Sequence, residues 1–398
     1  MTPRKICFFT GTRAEYGIMS DLMRMVDRDP SLELQIVATN MHLSPEFGLT
    51  YREIEADGFR ISRKVEMLLS SDTPVGTAKS MGLGIIGYAD AISELNPDLI
   101  VILGDRYEML GVAQTALMFQ KPVAHLYGGE ITEGAYDDAI RHAITKLSHL
   151  HFTSTEEYRD NVIQMGEDPA HVFNVGALGI DNLLRTPLMT LPELEESIGH
   201  TLGDDFVIVT FHPVTTQPGE AGRQVESLLQ SLSRLPENYR ILFTLPNSDT
   251  DGRIVAARIL EYESTHPERV KVVPSLGKRR YYSAVKLAKA VVGNSSSGLI
   301  EAPSLGTPTL NIGDRQKGRA QGPTVVNCGI TSSEITEGLS KALSPEMAAA
   351  ALLRTNPYAG EATLDRIFEA IARYPLQGIT AKTFHRLPSP DYTNSALI

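Results

Sequence analysis

Apolar residues in this chain fall in short dense runs, separated by stretches in which they recur every three or four positions. The dense runs predict strands buried on both faces and the spaced stretches predict amphipathic helices, so their alternation reads as the βα units of a parallel sheet. One series of strands is expected at residues 6–10, 34–39, 99–103, 122–127, 149–153 and 172–176. A second is expected at 206–211, 240–245, 270–273, 290–293, 308–312 and 324–327, after a helical, proline-containing connection over 177–203. The pattern therefore predicts an α/β chain of two doubly wound, Rossmann-like domains.

Length supports that division, since 398 residues exceed a single ordinary core. The domains are expected at 1–180 and 181–360. A last helix is expected over 361–375, with Leu364, Ile367, Phe368 and Ile371 on one face, packing back on the first domain. Beyond Pro375 the apolar periodicity stops, and 376–398 reads as an irregular or disordered tail. A formal charge of −11 argues against a nucleic-acid partner, which needs a basic face. Cys7 and Cys328 form no motif, and the first apolar run is too short for a signal or membrane segment, so a reduced cytoplasmic protein without membrane attachment is expected.

The stretch 289–319 carries the strongest chemical signal. An apolar strand ends in Asn294-Ser295-Ser296-Ser297-Gly298, a small polar turn that opens a helix. Its unpaired N–H groups and hydroxyls suit a phosphate. A simple helix cap is the competing explanation for such residues. Glu301, one turn on, lies on the side of Ser297, where a carboxylate can bind ribose hydroxyls, and this favours a ligand. Arg315 and Arg319 follow the next strand as two fixed cations for a pyrophosphate. His212, at the end of the 206–211 strand, and Asn247, after the 240–245 strand, are further candidates for the same ligand.

The first domain offers carboxylates at strand ends. Gly104-Asp105-Arg106-Tyr107-Glu108 follows the strand at 99–103, Glu130 follows a Gly-Gly pair beyond the strand at 122–127, and Asp137 and Asp138 open a helix. Asp105, Glu130 and one of the two aspartates supply acid/base groups for chemistry on a sugar ring. A Mg²⁺ site is the rival use for such a cluster, but arginines can neutralise phosphates without a metal, and no histidine has zinc-motif spacing, so no metal is assigned. Arg13, in the turn after the first strand, is expected to hold a phosphate, or else to pair with Glu15.

Six segments together resemble the hydrolysing branch of the UDP-N-acetylglucosamine 2-epimerase family, and the likeness runs over nearly the whole chain. They are Gly11-Thr-Arg-Ala-Glu-Tyr16, Gly104-Asp-Arg-Tyr-Glu108, 125–130, 137–149, 293–301 and Asn356-Pro-Tyr358. The resemblance implies a glycosyltransferase B-type fold with two domains facing a closing cleft, a homo-oligomer, no cofactor and a UDP-linked amino sugar as ligand. It implies Asp105, Glu130 and Asp138 or Asp137 as catalytic acids, Asp138 being favoured because it lies one turn before His142. It implies His212, Ser295 to Ser297, Glu301 and Arg315 as nucleotide contacts. The implied reaction eliminates UDP from UDP-GlcNAc to a 2-acetamidoglucal and hydrates it with inversion at C2, giving N-acetylmannosamine for sialic acid synthesis. Relatives implied by the same resemblance act on UDP- or GDP-linked 2,4-diacetamido-2,4,6-trideoxy sugars, and a B-type glycosyltransferase or a non-catalytic nucleotide-sugar sensor would share the phosphate turn.

Overall fold

The structure is a computed structural model, and it describes residues 2–69, 73–133, 136–213, 219–246 and 252–387. Asn247, one of the expected ligand contacts, lies outside the described residues. The chain forms two compact units. One comprises Met1–Ile131, Tyr136–Leu178 and Gly360–Ile398, and the other comprises Thr132–Ala135 and Gly179–Ala359.

The first unit is built on seven parallel strands: β1 (Arg4–Thr10), β2 (Leu32–Thr39), β3 (Arg63–Val65), β4 (Leu99–Leu103), β5 (Val123–Leu126), β6 (Leu150–Thr153) and β7 (Val172–Asn174). They lie in the order β3-β2-β1-β4-β5-β6-β7. The dense apolar runs have a simple cause, because both faces of the sheet are covered. Ile6 and Phe8 of β1, with Leu99, Val101 and Leu103 of β4, face one core layer, while Cys7, Phe9, Ile100 and Ile102 face the other. Full burial of each such side chain stabilises the fold by about 1.5–3 kcal/mol. Cys7 is thus a core residue, and burial pushes its thiol pKa far up.

The second unit repeats the plan with β8 (Phe206–Thr210), β9 (Arg240–Thr244), β10 (Val270–Val273), β11 (Ala290–Gly293), β12 (Thr309–Ile312) and β13 (Val325–Cys328), in the order β10-β9-β8-β11-β12-β13. Every pairing in both sheets is parallel. In each sheet the strand order reverses direction once, between β1 and β4 and between β8 and β11, and ligands of open α/β sheets bind beyond the carboxyl ends of strands at such a point.

β3 has no counterpart among the sequence-predicted strands, because two of its three residues are charged and exposed and only Val65 is buried. The helix Thr363–Arg373 buries Leu364, Ile367 and Ile371 in the core of the first unit, beside Ile6, Phe8 and Met19. The described residues after Pro375 are irregular, as expected, but they are anchored to the first unit. Residues 376–387 are without regular structure, yet Ile379 is buried in the same core and Lys382 hydrogen-bonds the carbonyls of Lys146 and Ser148. Single anchors of this kind leave no periodicity to read. No helix among the described residues is long and apolar enough to cross a membrane.

Candidate active site

At the reversal point of the first sheet, β4 ends in Gly104, whose φ of +80° suits a residue without Cβ and turns the chain so that Asp105 follows the strand end directly. His125 of β5 fixes this turn. Burial lowers its pKa to about 3, so the imidazole is neutral and donates Nε2–H to the Gly104 carbonyl at 2.7 Å. The helix Tyr136–Leu147 brings Asp137, Asp138 and Arg141 to the same place.

Arg141 organises the group. Its side chain is 2% exposed, and its guanidinium donates to the Glu130 carbonyl at 2.6 Å and to Asp138 Oδ1 at 3.2 Å, while the other terminal nitrogen pairs with Asp105. Asp105 and Asp138 remain 28% and 26% exposed, so each keeps an open side for a ligand. His142 Nε2 lies 3.3 Å from Asp138 Oδ2, as the spacing of one helical turn requires. Glu130 is buried, with Oε1 accepting from Ser154 Oγ at 2.9 Å. Asp137 has its pKa raised by burial and by the neighbouring charge of Asp105, which biases it toward the protonated form. The structure therefore joins Asp105, Asp138 and the Glu130 carbonyl through one cation, with Asp137, its pKa raised, nearby.

A second buried group lies beside the first and was not anticipated. Glu108 is fully buried, and Arg106 Nε is 2.6 Å from it and 3.8 Å from Glu15. Two carboxylates share one guanidinium there, and Glu15 is pushed up to about 8 by burial and then by the charge of Glu108. Glu15 also accepts from the N–H groups of Gly11 and Thr12 at 2.7 and 3.1 Å, completing a capping box at the start of the helix Arg13–Arg28. The alternative pairing of Arg13 with Glu15 is thereby corrected. The carboxylate of Glu15 is taken up by the backbone, and Arg13, 59% exposed, lies 3.5 Å from Glu53 instead.

In the second unit Gly293 closes β11 with φ +132°, and a Cβ there would lie 1.9 Å from the carbonyl oxygen of Thr210 on β8. This close approach lets Asn294 reach across. Its side chain accepts from His212 N at 2.7 Å and donates to His212 O at 2.8 Å, locking the two turns together. The Asn294 carbonyl receives Arg315 Nη1 and Gln316 Nε2, both at 3.0 Å. Burial, and then the charge of Arg315, lowers His212 to about 4, so this ring is neutral at pH 7.

The helix opened by the serine turn is two single turns, Ser297–Ile300 and Ala302–Leu305, with Glu301 between them and Pro303 in the second. Gly298 packs against β12: a Cβ would come within 2.6 Å of Thr309 Cγ2, and Thr309 Oγ1 donates to the Gly298 carbonyl at 2.7 Å. Ser295 Oγ accepts from Ser297 N at 3.4 Å, and Ser296 is the residue before the first turn. Glu301 is raised by burial, an effect opposed first by a hydrogen bond with Ser297 and, more weakly, by the charge of Arg319. His212 Nδ1, Tyr281 OH, Ser297 Oγ, Glu301 Oε2 and Gln316 Oε1 are all buried without a hydrogen bond of normal geometry, although Ser297 interacts with both Tyr281 and Glu301. Such groups cost about 1–3 kcal/mol each when left unsatisfied, which makes this turn a candidate seat for a polar ligand. Tyr281, pushed up to about 12 by burial, packs against the core of the second unit with its hydroxyl in this group.

Among the described residues no three His, Cys, Asp or Glu side chains are grouped as a metal-ion site. The residues missed from sequence are Arg141, whose i, i+3 spacing from Asp138 was a usable signal, and the Glu15–Arg106–Glu108 group, which only tertiary contact reveals.

Comparison with known proteins agrees with this arrangement. A family model described as UDP-N-acetylglucosamine 2-epimerase matches residues 24–372. The chain is 40% identical to the GDP/UDP-N,N'-diacetylbacillosamine 2-epimerase (hydrolyzing) of Campylobacter jejuni over 346 residues, 87% of this chain and 89% of that one. It is 37% identical to polysialic acid biosynthesis protein P7 of Escherichia coli, covering 91% and 92% of the two chains. The crystal structure of UDP-GlcNAc 2-epimerase from Neisseria meningitidis bound to UDP-GlcNAc superposes with a TM-score of 0.77 at 18% identity, over 92% of this chain and 99% of that one, and has the same fold. Two Rossmann-like units of the glycosyltransferase B type, matched over nearly their whole length, thus belong to a family: the chain is a member of the UDP-N-acetylglucosamine 2-epimerase family, in its hydrolysing branch.

Proposed function

We propose that this enzyme hydrolyses and epimerises a UDP- or GDP-linked 2,4-diacetamido-2,4,6-trideoxyglucose, releasing the nucleoside diphosphate and the free C2-epimeric sugar. The observation that carries the chemistry is the pair of half-open carboxylates, Asp105 and Asp138, tied to the buried Arg141. The choice of sugar is supported by the 40% identity to the Campylobacter enzyme named for diacetylbacillosamine. UDP-GlcNAc, giving N-acetylmannosamine, is the second reading, favoured by the ligand in the Neisseria structure.

In this reading one carboxylate takes the C2 proton, the C1–O bond to the diphosphate breaks, and a C1–C2 double bond forms. A second acid then returns a proton to C2 from the opposite face while water adds its oxygen at C1 and gives up a proton that restores this acid, so at least two proton carriers are needed and no redox change occurs. In this reading Asp105 and Asp138 act as bases and Asp137 holds a proton, a role supported by the burial and the Asp105 charge that raise its pKa, and Glu130 completes the set. Ser295, Ser296, Ser297, Gly298, His212, Arg315 and Arg319 supply the diphosphate contacts, Glu301 the ribose contact and Arg13 a further cation. The enzyme works as a cytoplasmic homo-oligomer, a reading supported by the free Cys7 and Cys328 and by the exposed Leu83, Ile86, Leu117 and Met118 on two helices of the first unit.

The test is incubation in D₂O with UDP- and GDP-diacetylbacillosamine and with UDP-GlcNAc, followed by proton NMR. The expected result is a free manno-configured diacetamido sugar deuterated at C2, with one nucleoside diphosphate released per sugar. Turnover of UDP-GlcNAc alone would replace the first reading by the second. A C2 position that keeps its proton would overturn the elimination.

A further inference from the structure

The helix that carries Asp137, Asp138 and Arg141 is closed at its far end by a residue from the chain's last segment. The final carbonyls of any α-helix lack intrahelical partners. Here Lys382 Nζ donates to the carbonyls of Lys146 and Ser148 at 2.9 and 2.6 Å. A cation so placed also complements the negative end of the helix dipole. The same ammonium lies 2.6 Å from Glu167 Oε2, and Glu167, 3% exposed, is also 2.5 Å from Lys146 Nζ and 3.1 Å from His151 Nε2. Burial opposes a charge on Glu167, but His151, Lys146 and Lys382 outweigh it and bring its pKa down to about 2.

Two neighbours of Lys382 press the segment onto the same end. The ring of Phe384 covers Gly166, where a Cβ would come within 2.4 Å of it, and lies 5.4 Å from Lys146 Nζ. His385 N donates to the Gly166 carbonyl at 2.9 Å. Residues 382–385 thus strap the C-terminus of the helix Tyr136–Leu147. Asp138 stands only about 12 Å up the same rigid helix from Lys146, so a slide or roll at the strapped end reaches the carboxylates.

We propose that Lys382 is a positioning residue for proton transfer: by capping this helix it fixes the register in which Arg141 holds Asp105 and Asp138. The proposal rests on the reading of those carboxylates as the proton-transfer groups. Displacements of about 1 Å at a catalytic group can cost up to about a hundredfold in rate.

Full-length Lys382→Met keeps the methylene stem and removes the ammonium. Its kcat is expected to fall about tenfold, with KM for the nucleotide sugar and Kd for UDP unchanged within about twofold, and Lys382→Arg is expected to restore most of the loss. Amide hydrogen exchange should accelerate at residues 142–148 and stay unchanged in β4 and β6. Phe384→Ala, which loosens the strap without removing the cap, should shift both readouts in the same direction by less. Wild-type kcat in Lys382→Met would overturn the proposal. So would a loss in which kcat, KM and UDP affinity fall together with protection across the whole first unit, since that describes a residue needed only for folding. Hydrogen exchange requires no substrate. A wild-type enzyme that turned over none of the sugars would therefore reject the carboxylate reading, and unchanged exchange at 142–148 in Lys382→Met would separately reject the cap.

Discussion

A buried guanidinium between two half-open aspartates is the residue-scale fact on which most depends. Asp105→Asn preserves shape and removes the base, so kcat should fall by at least about a hundredfold. Its UDP affinity should be unchanged, because the proposed diphosphate contacts lie on other residues; a titration showing lost UDP binding would reassign Asp105. Arg141→Met leaves the carboxylates facing each other without their cation, and losing one partner of a buried pair costs about 3–5 kcal/mol. A denaturation midpoint that fails to fall would show that Arg141 is not the organiser. The buried histidines set a pH window. His42, His149 and His212 are lowered to about 4 and His125 to about 3, in each case first by burial. The unfolded chain binds these protons near pH 6.5 and the folded chain does not, so stability is fully present above about pH 6.5 and falls as pH drops toward 4. Calorimetry at pH 5.5 in buffers of different ionisation enthalpy should show uptake of about three protons on unfolding; zero uptake would mean the rings are already charged. Asp105, Asp137, Asp138 and His212 were legible in the sequence because position after an apolar strand or at the start of a helix is a local property. Arg141 as hub and Glu108 as a buried acid were not, since burial of a charge depends on which partner the fold delivers.

The element scale explains why so much of the architecture could be read and where reading stopped. Strands buried on both faces must be apolar at consecutive positions, and twelve of the thirteen strands among the described residues coincide with apolar runs read from the sequence. β3, at the sheet edge with a single buried residue, does not. The 382–385 strap is invisible for a related reason: one cation, one ring and one backbone hydrogen bond have no period. At β11 the local signal was the polar turn from Asn294, and the structure gives the reason for the glycine before it in the carbonyl of Thr210. Gly293→Ala must either push β8 and β11 apart or leave the φ of +132° strained. It should cost about 2 kcal/mol or more and weaken UDP binding more than tenfold, by moving Asn294 away from His212. Calorimetric titration with UDP decides this. Affinity equal to wild type would mean that the turn recovers its shape without the close approach.

At the scale of the whole molecule, the chain's path makes the two units unequal. It leaves the first unit after Leu178 and re-enters it at Gly360, whereas the second is built almost entirely from the continuous span Gly179–Ala359. The returning segment contributes Leu364, Ile367, Ile371 and Ile379 to the first core, and Thr363 Oγ1 donates to the Val175 carbonyl at 2.5 Å. Deleting a buried aliphatic side chain costs about 2–5 kcal/mol, so losing four removes about 8–20 kcal/mol, as much as the whole 5–15 kcal/mol by which a typical domain is stable. A fragment ending at residue 178 should therefore be unfolded, with little near-ultraviolet dichroism and no cooperative transition. The same fragment joined by a flexible linker to residues 360–387 should regain one. The fragment 179–359 should fold unaided, because β8 to β13 and both of their core layers lie within it. It should also retain weak UDP binding through His212, Ser297, Glu301 and Arg315. Cooperative unfolding of the 1–178 fragment alone would show that the returning helix decorates the first unit instead of completing its core, and Lys382 would then have no reason to be held where the helix Tyr136–Leu147 needs it.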